Sequence, residues 1–164
     1  MIEKLAPGEE EDWLAAVKFE TAGAWLPAAR LRVDAAQLHT ASAGSLGDKM
    51  LGLLSHAVYR ASDQPESLNY IAIDRLAKID GSLAQLAKAR YVFYNVDQDA
   101  AQVSLGNLLQ QSPNLPAAQL LEAEFDARLG KPDAARQALA KLSSNPRATE
   151  WMRALATSIK GVLH

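Results

Sequence analysis

The chain has 164 residues, a net charge of −2 and 22% charged residues, which suits one domain with a sizeable core. The slightly acidic balance argues against a basic surface for nucleic acid, and the short apolar runs argue against a membrane-spanning helix. Cysteine is absent, which excludes disulfides, thiolate metal ligands and a cysteine nucleophile. Alanine, the best intrinsic helix former, occurs 31 times, and no segment alternates apolar and polar residues over the length of a strand. The composition therefore predicts an all-α fold.

Glycine, proline and polar clusters divide the sequence into nine predicted helices. An acidic start favours a first helix over residues 10–23, and Pro27 suits the first turn of a second helix that ends near His39. The small-residue segment "TASAGSLGD" then forms a loop and is the expected internal joint. The later helices are expected at residues 48–61, 66–79, 83–94, 98–111, 116–129, 133–142 and 148–162.

These helices are expected to form one domain that spans residues 1–164. Short connections between consecutive helices favour antiparallel pairs. The predicted hairpins lie at about 10–39, 48–80, 82–112 and 115–144, and a capping helix follows at 147–163.

Two segments of the sequence echo each other at a spacing of 34 residues. When residues 82–115 are set over residues 116–149 without gaps, nine of the 34 positions hold the same residue. The shared pairs include Ala89/Ala123, Ala101/Ala135 and Leu105/Leu139. Small residues at these places let two helices approach closely, and the leucine follows one turn later. The echo therefore predicts two copies of one helix–turn–helix unit.

This period of 34 residues resembles the tetratricopeptide repeat. The resemblance is clearest over residues 82–146, where small residues and leucines stand at the usual places of the family. It is degenerate over residues 10–81, where the segment "TASAGS" adds five residues to the period. Gln85 and Gln119 depart from the family pattern, which has a large residue at their position. The resemblance implies a right-handed α–α superhelix, a solenoid that binds an extended peptide or a partner's helix in a concave groove.

The resemblance also implies which residues line that groove, since the ninth, twelfth and thirteenth positions of each repeat usually point inward. They include three arginines and three aromatic residues, which are typical anchors of interfaces. The implied partner-binding residues are His56, Tyr59, Arg60, Arg90, Phe93, Tyr94, Glu124 and Arg128. The alternative interpretation is that the tyrosines fill seams between helices and the arginines face water. The Lys and Asn residues that clamp a terminal carboxylate in one subtype are absent, so that ligand is not expected.

The sequence shows no catalytic or metal-binding constellation. His39 and His56 stand 17 residues apart, and no histidine pair has the spacing typical of a zinc site. The run "EEED" lacks the alternating ligands and the glycine turn of a calcium loop. Asp97 and Asp99 stand where a helix N-cap is expected, and "AGSLGDK" lacks the full spacing of a phosphate-binding loop. We therefore predict no enzyme activity, no metal and no cofactor.

The expected function is that of a non-enzymatic interaction scaffold for a protein or peptide partner, without nucleic acid and without membrane insertion. The alternative is an accessory or self-association domain of a larger enzyme, transporter or regulator. In that case Trp13 and Trp25 would mark a homodimer contact. The start "MIEKLAPGEEEDW" lacks a basic segment followed by an apolar one, so we expect no signal peptide and a cytoplasmic location.

Overall fold

The computed structural model describes residues 8–163, so His164 and the first seven residues used to judge a signal peptide lie outside the described part. Within residues 8–163 the chain forms ten helices and no strand, which confirms the all-α prediction. None of these helices is long and apolar enough to cross a membrane. The contacts group the chain into two compact units, which divide between Tyr91 and Val92.

The first unit is built around its second helix. The helices that form this unit or begin in it are α1 (Glu9–Thr21), α2 (Trp25–Ala43), α3 (Asp48–Ala61), α4 (Ser67–Tyr70), α5 (Ile73–Ile79) and α6 (Gly81–Asn95). Helix α2 contacts α1, α3, α4 and α5. Its buried face consists mainly of alanine, namely Ala28, Ala29, Ala35 and Ala36 beside Val33. These small side chains let the surrounding helices approach the α2 backbone closely.

The second unit is built around α8. It contains the end of α6 and the helices α7 (Gln98–Gln111), α8 (Pro116–Arg128), α9 (Pro132–Ser143) and α10 (Glu150–Gly161). Helix α8 contacts α7, α9 and α10, and its residues Leu120, Leu121 and Ala123 are fully buried. The carboxylate of Asp97 caps α7 by accepting a hydrogen bond from the backbone N–H of Asp99 at 2.9 Å. The N-cap expected at this turn is therefore Asp97.

The residues shared by the two echoing segments are mostly core residues. Those that expose at most 2% of their surface are Ala84, Leu86, Ala89, Ala101 and Leu108 in the first copy and Ala118, Leu120, Ala123, Ala135 and Leu142 in the second. Gln85 and Gln119 differ, because Gln85 is exposed whereas only 6% of Gln119 is exposed. Apart from this pair, the echo marks positions at which both copies need a small or apolar side chain.

Two predictions of local structure were wrong. In "TASAGSLGD", expected to be a loop, residues 40–43 continue α2, which ends at Gly44 with a φ of 84°. Alanine, serine and threonine do not stop a helix, whereas glycine adopts this left-handed conformation easily. The single helix expected at residues 66–79 is divided into α4 and α5, with Ile71 and Ala72 between them. The two compact units divide within α6 and not at the expected joint.

The division between α4 and α5 places Ala72 in a conformation that disfavours alanine. Its φ is 56° and its ψ is 62°, in the left-handed region, where a Cβ atom costs about 1–2 kcal/mol. Ile71 and Ile73 on either side are buried, with 0% and 8% exposed. The backbone carbonyl of Ala72 accepts hydrogen bonds from the N–H groups of Arg75 and Leu76. Burial of both isoleucines and the start of α5 therefore hold this turn.

We expect Ala72→Gly to raise the free energy of unfolding by about 0.5–1 kcal/mol, because glycine avoids the steric cost and loses only part of the gain to chain entropy. Denaturant unfolding of the full chain measures this difference. Ala77→Gly is the control, since Ala77 is exposed inside α5 and should lose about 1 kcal/mol. Equal losses for the two variants would contradict the strain at Ala72.

Candidate partner-binding surfaces

Two of the four groove residues predicted in the first unit belong to its interior. Tyr59 on α3 is 1% exposed, which agrees with the alternative that tyrosines fill seams between helices. Arg90 on α6 is 9% exposed, and its guanidinium carbon lies 4.7 Å from the centre of the Tyr59 ring. Arg90 also donates a hydrogen bond to the backbone carbonyl of Tyr59 and lies 3.7 Å from the carboxylate of Asp63. Tyr59 and Arg90 therefore link α3 to α6 and do not line a groove.

The other two predicted residues of this unit, His56 and Arg60, meet on Trp25. The His56 and Trp25 rings lie 4.7 Å apart, and the Arg60 guanidinium carbon lies 4.8 Å from the centre of the Trp25 ring. All three side chains are half-buried. This Trp25 cluster joins the start of α2 to α3. Trp25 was considered only as a dimer contact, because the sequence gives no sign of which helix it meets.

The Trp25 cluster makes the first unit sensitive to pH. Burial lowers the pKa of His56, the nearby charges of Arg60 and Arg32 lower it further, and Glu20 opposes them. As the pH falls through the ordinary histidine pKa of about 6.5, the unfolded chain takes up a proton before the folded chain does. The stability contributed by neutral His56 is therefore present above that pH and is lost below it.

We expect the free energy of unfolding to fall more steeply for the wild type than for His56→Gln between about pH 7.5 and about pH 5.5. Urea unfolding at several pH values within this range measures the difference in slope. Carboxyl groups elsewhere titrate equally in both proteins and cancel in the comparison. Parallel stability curves for the two proteins would contradict the assignment to His56.

The groove residues predicted in the second unit also separate into core and surface. Phe93 is 4% exposed, and its ring stacks on that of Phe125 with 4.0 Å between centroids and 8° between planes. Tyr94 is half-buried and donates a hydrogen bond to Glu124 at 2.6 Å. The guanidinium carbon of Arg128 lies 5.8 Å from the centre of the Tyr94 ring. Tyr94, Glu124 and Arg128 therefore form a small surface cluster, the Tyr94 cluster, over the stacked phenylalanines.

A third surface, which the sequence did not predict, is a cleft of about 480 Å³ between α9 and α10. It is lined by Arg136, Leu139, Ala140, Leu142 and Ser143 of α9 and by Arg153, Ala156, Thr157 and Lys160 of α10. Helix α10 was expected to be a cap whose cations face water. The signal in the sequence is the spacing of seven residues between Arg153 and Lys160 and between Arg136 and Ser143, which places each pair on one face of its helix.

The three cations of the α9–α10 cleft have different partners. Arg153 donates hydrogen bonds to the backbone carbonyls of Ser143 at 3.3 Å and of Asn145 at 3.2 Å. Arg136 forms an exposed ion pair with Asp133 at 3.0 Å. Among the residues that the structure describes, neither Arg153 nor Lys160 has a carboxylate within 4.0 Å. The cleft therefore carries positive charge that no neighbouring acid compensates.

A buried polar network fixes the segment that leads into α10. The Nδ2 of Asn145 donates to the backbone carbonyl of Asn114 and to the Oε1 of Gln119, both at 2.9 Å. Gln119 in turn donates to the carbonyl of Pro113 at 3.1 Å, and the Oδ1 of Asn145 accepts from the N–H of Arg147 at 2.9 Å. Gln119 and Asn145 expose 6% and 7% of their surfaces, so these bonds replace lost water. The departure of Gln119 from the family pattern is thus explained by its hydrogen bonds.

The remaining polar residues in the interior act as structural ties. His39 was expected near a helix end and lies four residues before the end of α2, where it is fully buried. Its Nδ1 lies 2.8 Å from the Oε1 of the fully buried Glu9, which joins the start of α1 to α2. No group of three residues suited to hold a metal ion occurs in the described part of the chain.

Comparisons with known proteins give no match, since no family, no curated protein and no solved structure matches the chain. The function is therefore inferred from the three surfaces alone. In the Trp25 and Tyr94 clusters the functional groups are engaged mainly with one another. The α9–α10 cleft alone among these three combines a concave shape with cations that lack acidic partners.

Proposed function

We propose that this protein is a non-enzymatic interaction module that binds a segment of a partner protein. The observation that carries the proposal is the cleft between α9 and α10, which combines an apolar floor with a cationic rim. Sites of this kind orient a ligand through a few polar groups while apolar contacts supply affinity. Its volume of about 480 Å³ suits a few side chains of a partner.

The proposal includes a tetratricopeptide-like arrangement of the hairpins in a right-handed superhelix. It is supported by the echo of 34 residues, whose matched alanines and leucines are buried in both copies. Under this proposal the half-buried or exposed groove residues, His56, Arg60, Tyr94, Glu124 and Arg128, are secondary contacts for the partner. The proposal also keeps the cytoplasmic location expected from the sequence.

Self-association through the N-terminal tryptophans gains no support from their surroundings. Trp13 lies under the guanidinium of Arg32, 5.5 Å from its carbon to the ring centre. Trp25 contacts His56 and Arg60, as described above. Both indole rings are therefore already engaged within the first unit.

The test uses two adjacent positions on α10, of which Thr157 lines the cleft and Ser158 does not. A photo-crosslinking amino acid is placed at either position of the full chain in the cells that produce it. The proposal expects a discrete protein adduct from position 157 and not from position 158. Equal labelling from both positions, or none from position 157, would contradict binding in the cleft.

The captured protein must then bind the purified chain through the same cleft. Ala156→Trp is expected to weaken binding because the indole fills the cleft, whereas Ala154→Trp on the exposed side of α10 should not. Isothermal titration with the two variants measures this difference. Unchanged affinity for Ala156→Trp would place the partner elsewhere and reject the proposed site.

A further inference from the structure

We infer that the α9–α10 cleft recognises an acidic segment in which an apolar side chain lies between two carboxylates. This inference rests on the proposed function and adds the chemistry of the partner. It follows from where the cations stand, how one of them is held, and what lies between them.

The cations stand at opposite ends of the cleft. Arg153, near the start of α10, bonds to carbonyls at and just beyond the end of α9. Lys160, near the end of α10, lines the same cleft as Arg136, near the start of α9. The two helices therefore run in opposite directions, with Arg136 and Lys160 at one end and Arg153 at the other. Seven residues of helix separate these ends, which corresponds to about 10 Å along the axis.

Arg153 is prepared to receive an anion. Its two hydrogen bonds to the carbonyls of Ser143 and Asn145 hold the guanidinium in one place, and they satisfy carbonyls that a helix end leaves without partners. A guanidinium has five N–H donors, so three of them remain for a ligand. Because the side chain is already fixed, a carboxylate that binds it has less side-chain entropy to offset.

The space between the two ends is apolar. Leu139, Ala140 and Ala156 lie between the cationic ends, and alanine at two of these positions leaves room for a side chain from outside. An isolated phosphate or a nucleic-acid backbone would leave this apolar surface unused. An amphipathic acidic segment covers it while its carboxylates reach both ends.

A helical ligand meets these requirements with a simple spacing. Residues i and i+7 of a helix lie about 10 Å apart on the same face, and a residue at i+3 or i+4 lies between them. Glutamate at i and i+7 with leucine at i+3 therefore fits the cleft. When the second glutamate moves to i+5, its side chain turns to another face and loses its partner.

The probes are two synthetic helical peptides of about 16 residues, built on alanine and glutamine. Both carry glutamate at i and leucine at i+3, and they differ only in whether the second glutamate stands at i+7 or at i+5. Fluorescence anisotropy with the full chain measures their affinities at low ionic strength. We expect the i+7 peptide to bind about tenfold more tightly and to lose this advantage at about 0.5 M salt.

A matched pair of variants separates the cleft from general charge. Arg136→Glu with Lys160→Glu reverses the charge at one end of the cleft. Lys18→Glu with Lys78→Glu makes the same change in net charge at exposed positions of the first unit. Only the first pair should weaken the i+7 peptide, again by about tenfold. Thermal unfolding followed by circular dichroism verifies that both double variants fold.

The outcomes distinguish the partner chemistry from the proposed function. Equal binding of the two peptides, or equal weakening by the two double variants, would overturn the inference. If crosslinking from position 157 captures a partner that Ala156→Trp weakens, but neither peptide binds, the acidic segment is rejected and the proposed function stands. If position 157 captures no partner and neither peptide binds, both fail.

Discussion

Replacing Phe125 with alanine is expected to lower the free energy of unfolding of the second unit by about 4 kcal/mol. Phe125 is 1% exposed, and its ring stacks on that of Phe93 at 4.0 Å. The substitution removes buried apolar surface and the aromatic pair together. Helix α8 contacts α7, α9 and α10, so its neighbours on several sides resist collapse into the cavity.

Urea unfolding followed by far-ultraviolet circular dichroism measures this loss. Phe125→Leu keeps most of the volume and should cost about 1.5 kcal/mol or less. Val103→Ala is the control for a general effect of truncation, because Val103 is 65% exposed and should change stability by about 0.5 kcal/mol at most. If Phe125→Ala costs no more than Val103→Ala, Phe125 is not part of the core.

The second large effect is expected at Glu20, whose replacement by glutamine should cost about 3 kcal/mol. Arg32 is 4% exposed and donates two hydrogen bonds to the Glu20 carboxylate, at 2.6 Å and 3.2 Å. Because Glu20 keeps some exposure, with 16% of its side chain accessible, the loss lies at the lower end for buried pairs. Glutamine leaves the Arg32 guanidinium buried without a countercharge, which carries the destabilisation.

The control is the double variant Glu20→Gln with Arg32→Met. Removing both charges leaves no unpaired ion in the interior, so this variant should recover most of the stability. Equilibrium unfolding of the wild type, both single variants and the double variant gives the coupling energy. Additive losses in this cycle would show that Glu20 and Arg32 act independently.

Helix positions could be predicted where local chemistry decides them. Helices α3 and α7 begin and end at the predicted residues, since each follows a turn segment with an acidic residue at its start. The division between α4 and α5 could not be predicted, because Ala72 is a good helix former with no signal for a turn. Burial of Ile71 and Ile73, a tertiary effect, imposes its left-handed conformation.

The spacing of the expected groove residues could be predicted, but their direction could not. Tyr59 and Phe93 hold the same position in consecutive repeat units, and both are buried. Each step along a helix turns a side chain by about 100°, so a family pattern read one residue out of register exchanges core for surface. The adjacent residues Arg60 and Tyr94 are half-buried at the surface in both cases.

The α9–α10 cleft depends on contacts between residues that are distant in sequence. Arg153 finds its carbonyl partners only because Asn145 is held against Gln119 and Asn114, which lie 26 and 31 residues away. Periodicity within α10 shows that Arg153 and Lys160 share a face, but not which surface that face meets. The site therefore becomes recognisable only when the two helices are placed.

The hydrogen bonds of Gln119 have a consequence for engineering by consensus. A designer who raises the resemblance to the repeat family would replace Gln119 with the large residue usual at its position. That change alone removes the oxygen that accepts from Asn145 and leaves the Pro113 carbonyl without its donor. The two positions must therefore be redesigned as one unit, although 26 residues separate them in sequence.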